Sequence, residues 1–333
     1  MTADRWLLFA IALLLGTTAA LLPGAAGAER FSFMALGDMP YTLPRDAVGF
    51  QRLIARTNQL KPAFTVHVGD IKSGSTHCTD DVFTKAIEMF NGFDQPLIYT
   101  PGDNEWTDCH RANNGGYDPI ERLARLRQVM YAQPGSFGRA RMPLAHQSGD
   151  PNYSKFVENA RWEKAGVVFA TVHVIGSNNN LQRHQATVNE YIERNAANLA
   201  WIDAAFAQAR QTGAKGIVFF FQAEPAFEKE SEQDSRSGYN DTLNAFKRLS
   251  IAFGKPVLLI HGDKHRLIID QPLFGPGRQR IMNVTRIMVH GDTEVHGTLV
   301  AVDTEDPDLF SYKPVYIPEN IPAWKPAAKP AAP

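Results

Sequence analysis

The chain reads as a layered α/β protein, and three observations carry that reading. Six short, nearly continuous apolar runs recur along the sequence, segments with helical spacing of apolar residues lie between them, and most of the runs end in Gly-Asp. Continuous apolar runs of five or six residues suit strands buried on both faces. Strands that alternate with helices stack as sheets covered by helices. Composition agrees. With 34 Lys+Arg against 35 Asp+Glu, the net charge of -1 excludes a broadly basic nucleic-acid binder and an acidic solvating chain. At 44% hydrophobic, with 20 Phe and 5 Trp, the 333 residues can bury a large core, which excludes wholesale disorder.

The elements follow in order. Trp6 to Leu22 are almost entirely apolar, Pro23-Gly24 breaks the run, and Ala26-Gly27-Ala28 follows. This is the pattern of a secretory signal cut after Ala28, so residues 1–28 are expected to be removed and the protein exported to the periplasm or beyond. An uncleaved anchor is the alternative, but the run is near the lower limit for a span. No second long apolar run follows, so no membrane span is expected in the mature chain. Strands are expected at 31–36, 63–68, 96–100, 166–175, 216–221 and 256–261. Helices are expected near 46–59, 81–92, 118–130, 185–212 and 238–252. The fourth helix is the clearest, with Val188, Tyr191, Ile192, Ala196, Leu199, Ile202 and Phe206 at helical spacing. Strands near 266–270, 286–290 and 296–303 follow one another closely, which suits an antiparallel or mixed part of the sheet. The domain is placed at 29–317, and the Pro/Ala/Lys-rich residues 318–333 read as an unfolded tail.

Two cysteines in an exported chain predict one disulfide, Cys78–Cys109, worth roughly 3 kcal/mol if the geometry permits. The count alone excludes a Cys-rich zinc site.

Gly-Asp occurs at 37–38, 69–70, 102–103, 149–150, 262–263 and 291–292. A single copy is a turn dipeptide. Four copies, however, put Asp38, Asp70, Asp103 and Asp263 directly after apolar strands, and the carboxyl ends of strands line the ligand crevice of α/β sheets. Four carboxylates on one edge repel one another, by several kcal/mol in a poorly solvated site. A bound cation is the natural compensation.

These residues resemble the calcineurin-like metallophosphoesterases. That family's motifs run Gly-Asp-x-His, Gly-Asp-x-x-x-x-Gly, Gly-Asn-His-Asp/Glu, a strand-end His, then Gly-His-x-His. Gly37-Asp38-Met39-Pro40 stands for the first, and Gly69 to Gly74 match the second letter for letter. Gly102-Asp103-Asn104-Glu105 stands for the third, Gln222 for the fourth and Gly262-Asp263-Lys264-His265 for the fifth. The resemblance spans about residues 31 to 303. It implies an αββα sandwich of mixed sheets flanked by helices, and a phosphate mono- or diester hydrolase with two divalent metal ions. Asp38 and His265 would hold one ion, Asp70 would bridge both, and Asp103, Gln222 and Asp263 would hold the other. Two ions about 3.5 to 4 Å apart can clamp a phosphoryl group and generate the attacking hydroxide. The implied substrate is a small-molecule, lipid or nucleotide phosphoester, with no stable nucleic-acid binding.

The departures from the motifs have chemical consequences. Pro40 replaces an imidazole, with Tyr41 next to it in reach; Asp103, Asp263 and Gln222 replace an amide and two imidazoles. The oxygen-rich set favours Mn, Mg or Ca over Zn, with Fe also accommodated. Asn104 stands where the family keeps the His that assists the leaving group; an amide can hydrogen-bond a phosphoryl oxygen but cannot act as a general acid. His110, His173 or His261 could supply that proton. Asn178, Asn179 and Asn180 follow a strand and could present amides to a phosphate, or form a plain turn. Lys72 and Arg111 could neutralise substrate charge. His67 reads as a satisfied core histidine, and His290 and His296 as part of a hairpin. A noncatalytic metal- or phosphate-binding protein on the same scaffold is the alternative.

Overall fold

The structure is a computed structural model that describes residues 29–227 and 237–321. The expected signal segment and residues 322–333 of the expected tail lie outside the described residues. In chain order the first strands are β1 (Arg30–Leu36), β2 (Thr65–His67), β3 (Leu97–Tyr99), β4 (Ala145–His146), β5 (Ala160–Lys164) and β6 (Val167–Thr171). The others are β7 (Gly216–Phe220), β8 (Val257–His261), β9 (Ile268–Asp270), β10 (Val284–Met288), β11 (Gly297–Asp303) and β12 (Phe310–Val315). The helices of eight or more residues are α1 (Ala47–Leu60), α2 (Asp80–Phe90), α3 (Pro119–Met130), α4 (Gln185–Gln211) and α5 (Asn240–Phe253).

Two mixed sheets form. The smaller runs β12-β11-β1-β2-β3 and the larger β4-β5-β6-β7-β8-β10-β9. β1, β2 and β3 are parallel, as are β6, β7, β8 and β10. β11, β12, β4, β5 and β9 join antiparallel at the flanks. Alternation along each central strand explains why the apolar runs are continuous. Phe33 and Ala35 of β1, with Val218 and Phe220 of β7, fill the space between the sheets, beside Phe64, Phe169, Leu258 and Ile260. Met34 and Leu36 point the other way, to Phe50, Leu53, Phe83, Phe90 and Leu126 of α1, α2 and α3. Ile217 and Phe219 likewise meet Trp201, Ile202, Phe206 and Phe246 of α4 and α5. This is the expected helix–sheet–sheet–helix sandwich.

Several expectations change. The run 166–175 is a strand only to Thr171. β4, β5 and β12 were not anticipated, because the alternating, charge-bearing sequences of β5 and β12 carry no continuous apolar signal. The apolar stripe expected along α4 is buried in part: Tyr191, Ile202 and Phe206 face inward, but Ile192 is exposed, and Arg194, Asn195 and Asn198 are buried as well. Pro318–Asn320 form a 3-10 turn, and Asn320 Nδ2 donates to Gly49 O at 2.9 Å and Val295 O at 3.0 Å. Folded chain therefore extends past 317. Among the described residues no helix is long and apolar enough to cross a membrane.

Candidate functional site

β1, β2 and β3 deliver Asp38, Asp70 and Asp103 at their carboxyl ends, and β7 and β8 of the other sheet deliver Gln222 and Asp263. These ends meet at a polar cleft of about 590 Å³. Tyr41, Asp70, Asp103, Asn104, Asp263 and His265 line it, with Arg111, Ser177, Asn178, Lys264 and Asp292 at its sides. Asp38, Asp70 and Asp263 take left-handed backbone conformations, with φ of 52°, 58° and 79°. Asp tolerates that region better than most residues, and such strain concentrates at functional sites. Close approach is also built in: a Cβ on Gly102 would lie 2.0 Å from Asp70 Oδ1.

Hydrogen bonds tie the floor together. Asp263 N donates to both oxygens of Asp38, at 3.1 and 2.9 Å. Asp70 accepts from Asn104 N at 3.1 Å and Asn104 Nδ2 at 2.8 Å. It also accepts from Gln222 Nε2 at 3.2 Å and from the Tyr41 hydroxyl at 3.3 Å. The same hydroxyl lies 2.7 Å from His265 Nε2. Asp103 Oδ2 accepts from Ser177 Oγ at 3.0 Å, and Asp103 Oδ1 is buried with no hydrogen-bond partner among the described residues.

The carboxyls are only weakly compensated: buried Lys72 feels the charge of Glu105, Asp70 and Asp103 but spends its hydrogen bonds on Ser73 O, Asn104 O and Asn114 Oδ1. Asp38, Asp70 and Asp103 are at most 6% exposed, and among the described residues no Lys or Arg pairs with any of them. Burial, then the charge of Asp263, pushes the Asp38 carboxyl well up. Burial followed by Asp103 does the same to Asp70, and burial followed by Asp108 to Asp103. Burial beside Asp70 raises the Tyr41 phenol, so it stays protonated. Burial lowers His265.

As donors, these groups suit a hard divalent ion: four carboxylates, one carrying an orphaned buried oxygen, and one imidazole. In their present rotamers, among the described residues, no three acidic, His or Cys side chains already converge on a common ligand point. Gln222 does not suit the ligand role given to it. Gly176 N donates to Gln222 Oε1 at 2.6 Å, and a backbone N–H can only donate, so the amide NH2 must face Asp70 and Asp263. Gln222 acts as a donor to the carboxylates.

Other expected residues divide. Arg111 lines the cleft and pairs with Asp108 at 2.7 Å. Asn104 lines it with its NH2 spent on Asp70. Asn178 lines it too, but its Oδ1 accepts from Gly238 N and its Nδ2 donates to Leu181 O. Asn179 is fully buried, held by Arg194 and Gly238 O, and does not face the cleft. His261 is buried between Phe221 and Phe227, lowered to about 3 by burial and then Arg286, and His110 turns back to Thr107 O at 2.8 Å. His173 is buried against Glu158 at 2.7 Å. None of these three histidines lines the cleft, so none is placed to deliver the proton expected of it. Lys72 is buried and donates to Ser73 O, Asn104 O and Asn114 Oδ1, a loop tie rather than a substrate contact. His67 is the satisfied core residue expected, bonded to Met39 O and Gly69 N. His290 and His296 are buried around Tyr316, away from the cleft. Cys78 and Cys109 form the expected disulfide, Cα–Cα 5.8 Å, with both sulfurs beside Asn104 O. Sequence reasoning missed Ser177 and Asp108, which no motif marks.

No family model matches the chain, and no curated protein is detectably similar to it. Solved structures are similar. GAP50, described as the anchor in the inner membrane complex of Plasmodium, aligns with 86% of this chain and 89% of its own at 11% identity and a TM-score of 0.50. A dimetal phosphatase from Danio rerio aligns with 82% of this chain and 95% of its own, at 12% identity and a TM-score of 0.49. Purple acid phosphatase PPD1 from yellow lupin seeds aligns with 91% of this chain and 58% of its own, at 10% identity and a TM-score of 0.48. The chain has the calcineurin-like metallophosphoesterase fold.

Proposed function

We propose that this is an exported, divalent-metal-dependent phosphoesterase. The observation that carries the reading is the buried carboxyl cluster: Asp70 and Asp103 line the cleft, Asp38 is fully buried and bonded to Asp263 N, and among the described residues no Lys or Arg forms an ion pair with any of the three. Buried charge is retained where it is paired or coordinates metal. Asp38, Asp70, Asp103, Asp263 and His265 would hold the two divalent ions that the resemblance implies, with Mn, Mg or Ca suited best by so many oxygens. When bound, such an ion neutralises the floor, polarises a phosphoryl oxygen and activates water.

The chain's own groups do the rest. Arg111 and Lys264 stand at the sides of the cleft, where guanidinium and ammonium groups bind phosphoryl oxygens. Gln222 and Asn104 orient Asp70 through their amide protons. Once bound metal neutralises the neighbouring carboxylates that raise its phenol, Tyr41, lying between Asp70 and His265, would be the group placed to deliver a proton to a departing alkoxide, which Asn104 cannot do. The substrate is a small phosphate ester, and the disulfide suits an oxidising compartment.

The test is calorimetric titration with Mn2+, together with hydrolysis of p-nitrophenyl phosphate and bis(p-nitrophenyl) phosphate, on the wild type and Asp70→Asn. Binding and turnover in the wild type, both lost in Asp70→Asn, are expected. A second reading, a noncatalytic metal-binding protein, draws on the absence of His110, His173 and His261 from the cleft. Stoichiometric Mn2+ with no hydrolysis of either ester would favour it.

A further inference from the structure

The loop after β6 carries an unusual conformation. Ser177, Asn178, Asn179 and Asn180 are consecutively left-handed, with φ of 49°, 53°, 52° and 64°. L-residues are strained there, and Asn and Asp usually visit the region singly. Something must hold the turn. Arg194 of α4, fully buried, does so: Nη1 donates to Asn179 Oδ1 at 2.6 Å and His173 O at 2.7 Å, and Nη2 to Asn179 O at 3.0 Å. Its Nε is anchored on Glu190 Oε1 at 2.6 Å, and its guanidinium lies 5.4 Å from the centre of the Trp106 ring.

The turn has two products at the cleft. Gly176 N pins Gln222 Oε1, and Ser177 Oγ reaches Asp103 Oδ2 at 3.0 Å and Asp108 Oδ1 at 2.6 Å. A Cβ on Gly176 would lie 2.6 Å from Asp103 Oδ2, so the backbone itself abuts that carboxylate. Arg194 does not line the cleft; it grips the turn at Asn179 and at His173 O, while Gly238 bonds Asn178 and Asn179 from the other side.

We infer that Arg194 is a positioning residue: by holding the left-handed turn it sets Gln222 as a donor and Ser177 as the anchor of Asp103. Its consequence for metal affinity rests on the function proposed above; its hold on the turn does not. Lys at 194 keeps a charge for Glu190 but loses the planar fork. Arg194→Lys should therefore speed hydrogen exchange of the 174–181 amides in metal-free protein at least tenfold. It should also weaken Mn2+ binding by about 10- to 100-fold, the usual cost of losing an outer-shell partner. In a chain already carrying Gln222→Met and Ser177→Ala, the same change should weaken Mn2+ binding no further. Should Arg194→Lys not fold, Asn179→Gly serves, since glycine keeps the left-handed φ but removes the Oδ1 that Arg194 grips. Unchanged exchange in the folded variant would overturn the inference, as would an equal loss of affinity in the triple variant. A wild type that takes up no Mn2+ would instead sink the functional reading, and the exchange experiment would still decide the clamp.

Discussion

Asp70 shows how the cleft divides labour among single residues. Its two oxygens accept from Asn104, Gln222 and Tyr41, so four neutral donor groups on three residues hold one buried carboxyl. Gln222 gives a sharp test of that arrangement. In Gln222→Glu a carboxylate oxygen would replace the NH2 now 3.2 Å from Asp70 Oδ2 and 3.4 Å from Asp263 Oδ1. Metal-free Gln222→Glu should lose about 1–3 kcal/mol of stability, read from urea melts in chelator. An unchanged or raised midpoint would mean the amide presents oxygen to the carboxylates after all. Tyr41→Phe should lower kcat on an alkyl phosphate more than on p-nitrophenyl phosphate, whose leaving group needs no proton; equal losses would count against proton delivery by Tyr41. At this scale the four Asp were legible, because each follows an apolar run. Ser177, Asp108 and Arg194 were not, since their roles depend on contacts between segments distant in sequence.

At the scale of elements, two devices hold the loops that carry these residues. The Cys78–Cys109 bridge joins the loop after β2 to the loop after β3, with both sulfurs against Asn104 O. Complete reduction should weaken Mn2+ binding, and an unchanged titration after reduction would contradict this. Beneath the cleft, Glu158, just before β5, meets Arg127 of α3 at 2.5 Å and His173 at 2.7 Å. Burial alone would raise the Glu158 carboxyl, but Arg127 and His173 hold it well below the usual range. A depressed folded value stabilises above the unfolded pKa of about 4.3 and is lost as pH falls through the folded value. Glu158→Gln should therefore cost about 3 kcal/mol at pH 7, with the gap to wild type closing in strong acid. A cost independent of pH would place the effect in packing instead. Helix α4 explains a limit of sequence reading. Its length was legible from apolar spacing, but its face only in part: Tyr191, Ile202 and Phe206 are buried as expected, while Arg194 and Asn198 also turn inward, to the backbone of His173. Polar residues that satisfy a buried loop invert the usual pattern.

Over the whole molecule, the sandwich brings together the carboxyl ends of strands from two sheets that share no hydrogen-bonded edge. Gly-Asp turns and strand order made that convergence legible, whereas the edge strands β4 and β12, and β5 next to an edge, escaped because half-exposed strands alternate rather than run apolar. An ion held between the two sheets would bind only the folded chain. Saturating Mn2+ should therefore raise the melting temperature over chelator-treated protein by several degrees, corresponding to about 2.7 kcal/mol at a hundredfold excess over Kd. No shift would mean that the floor is neutralised by protons alone. The most direct test of the central claim is an anomalous-difference map from crystals grown with Mn2+. Density is expected among Asp38, Asp70, Asp103, Asp263 and His265, with the Gln222 oxygen still on Gly176 N. An empty floor, or Mn2+ bound only elsewhere on the chain, would contradict it.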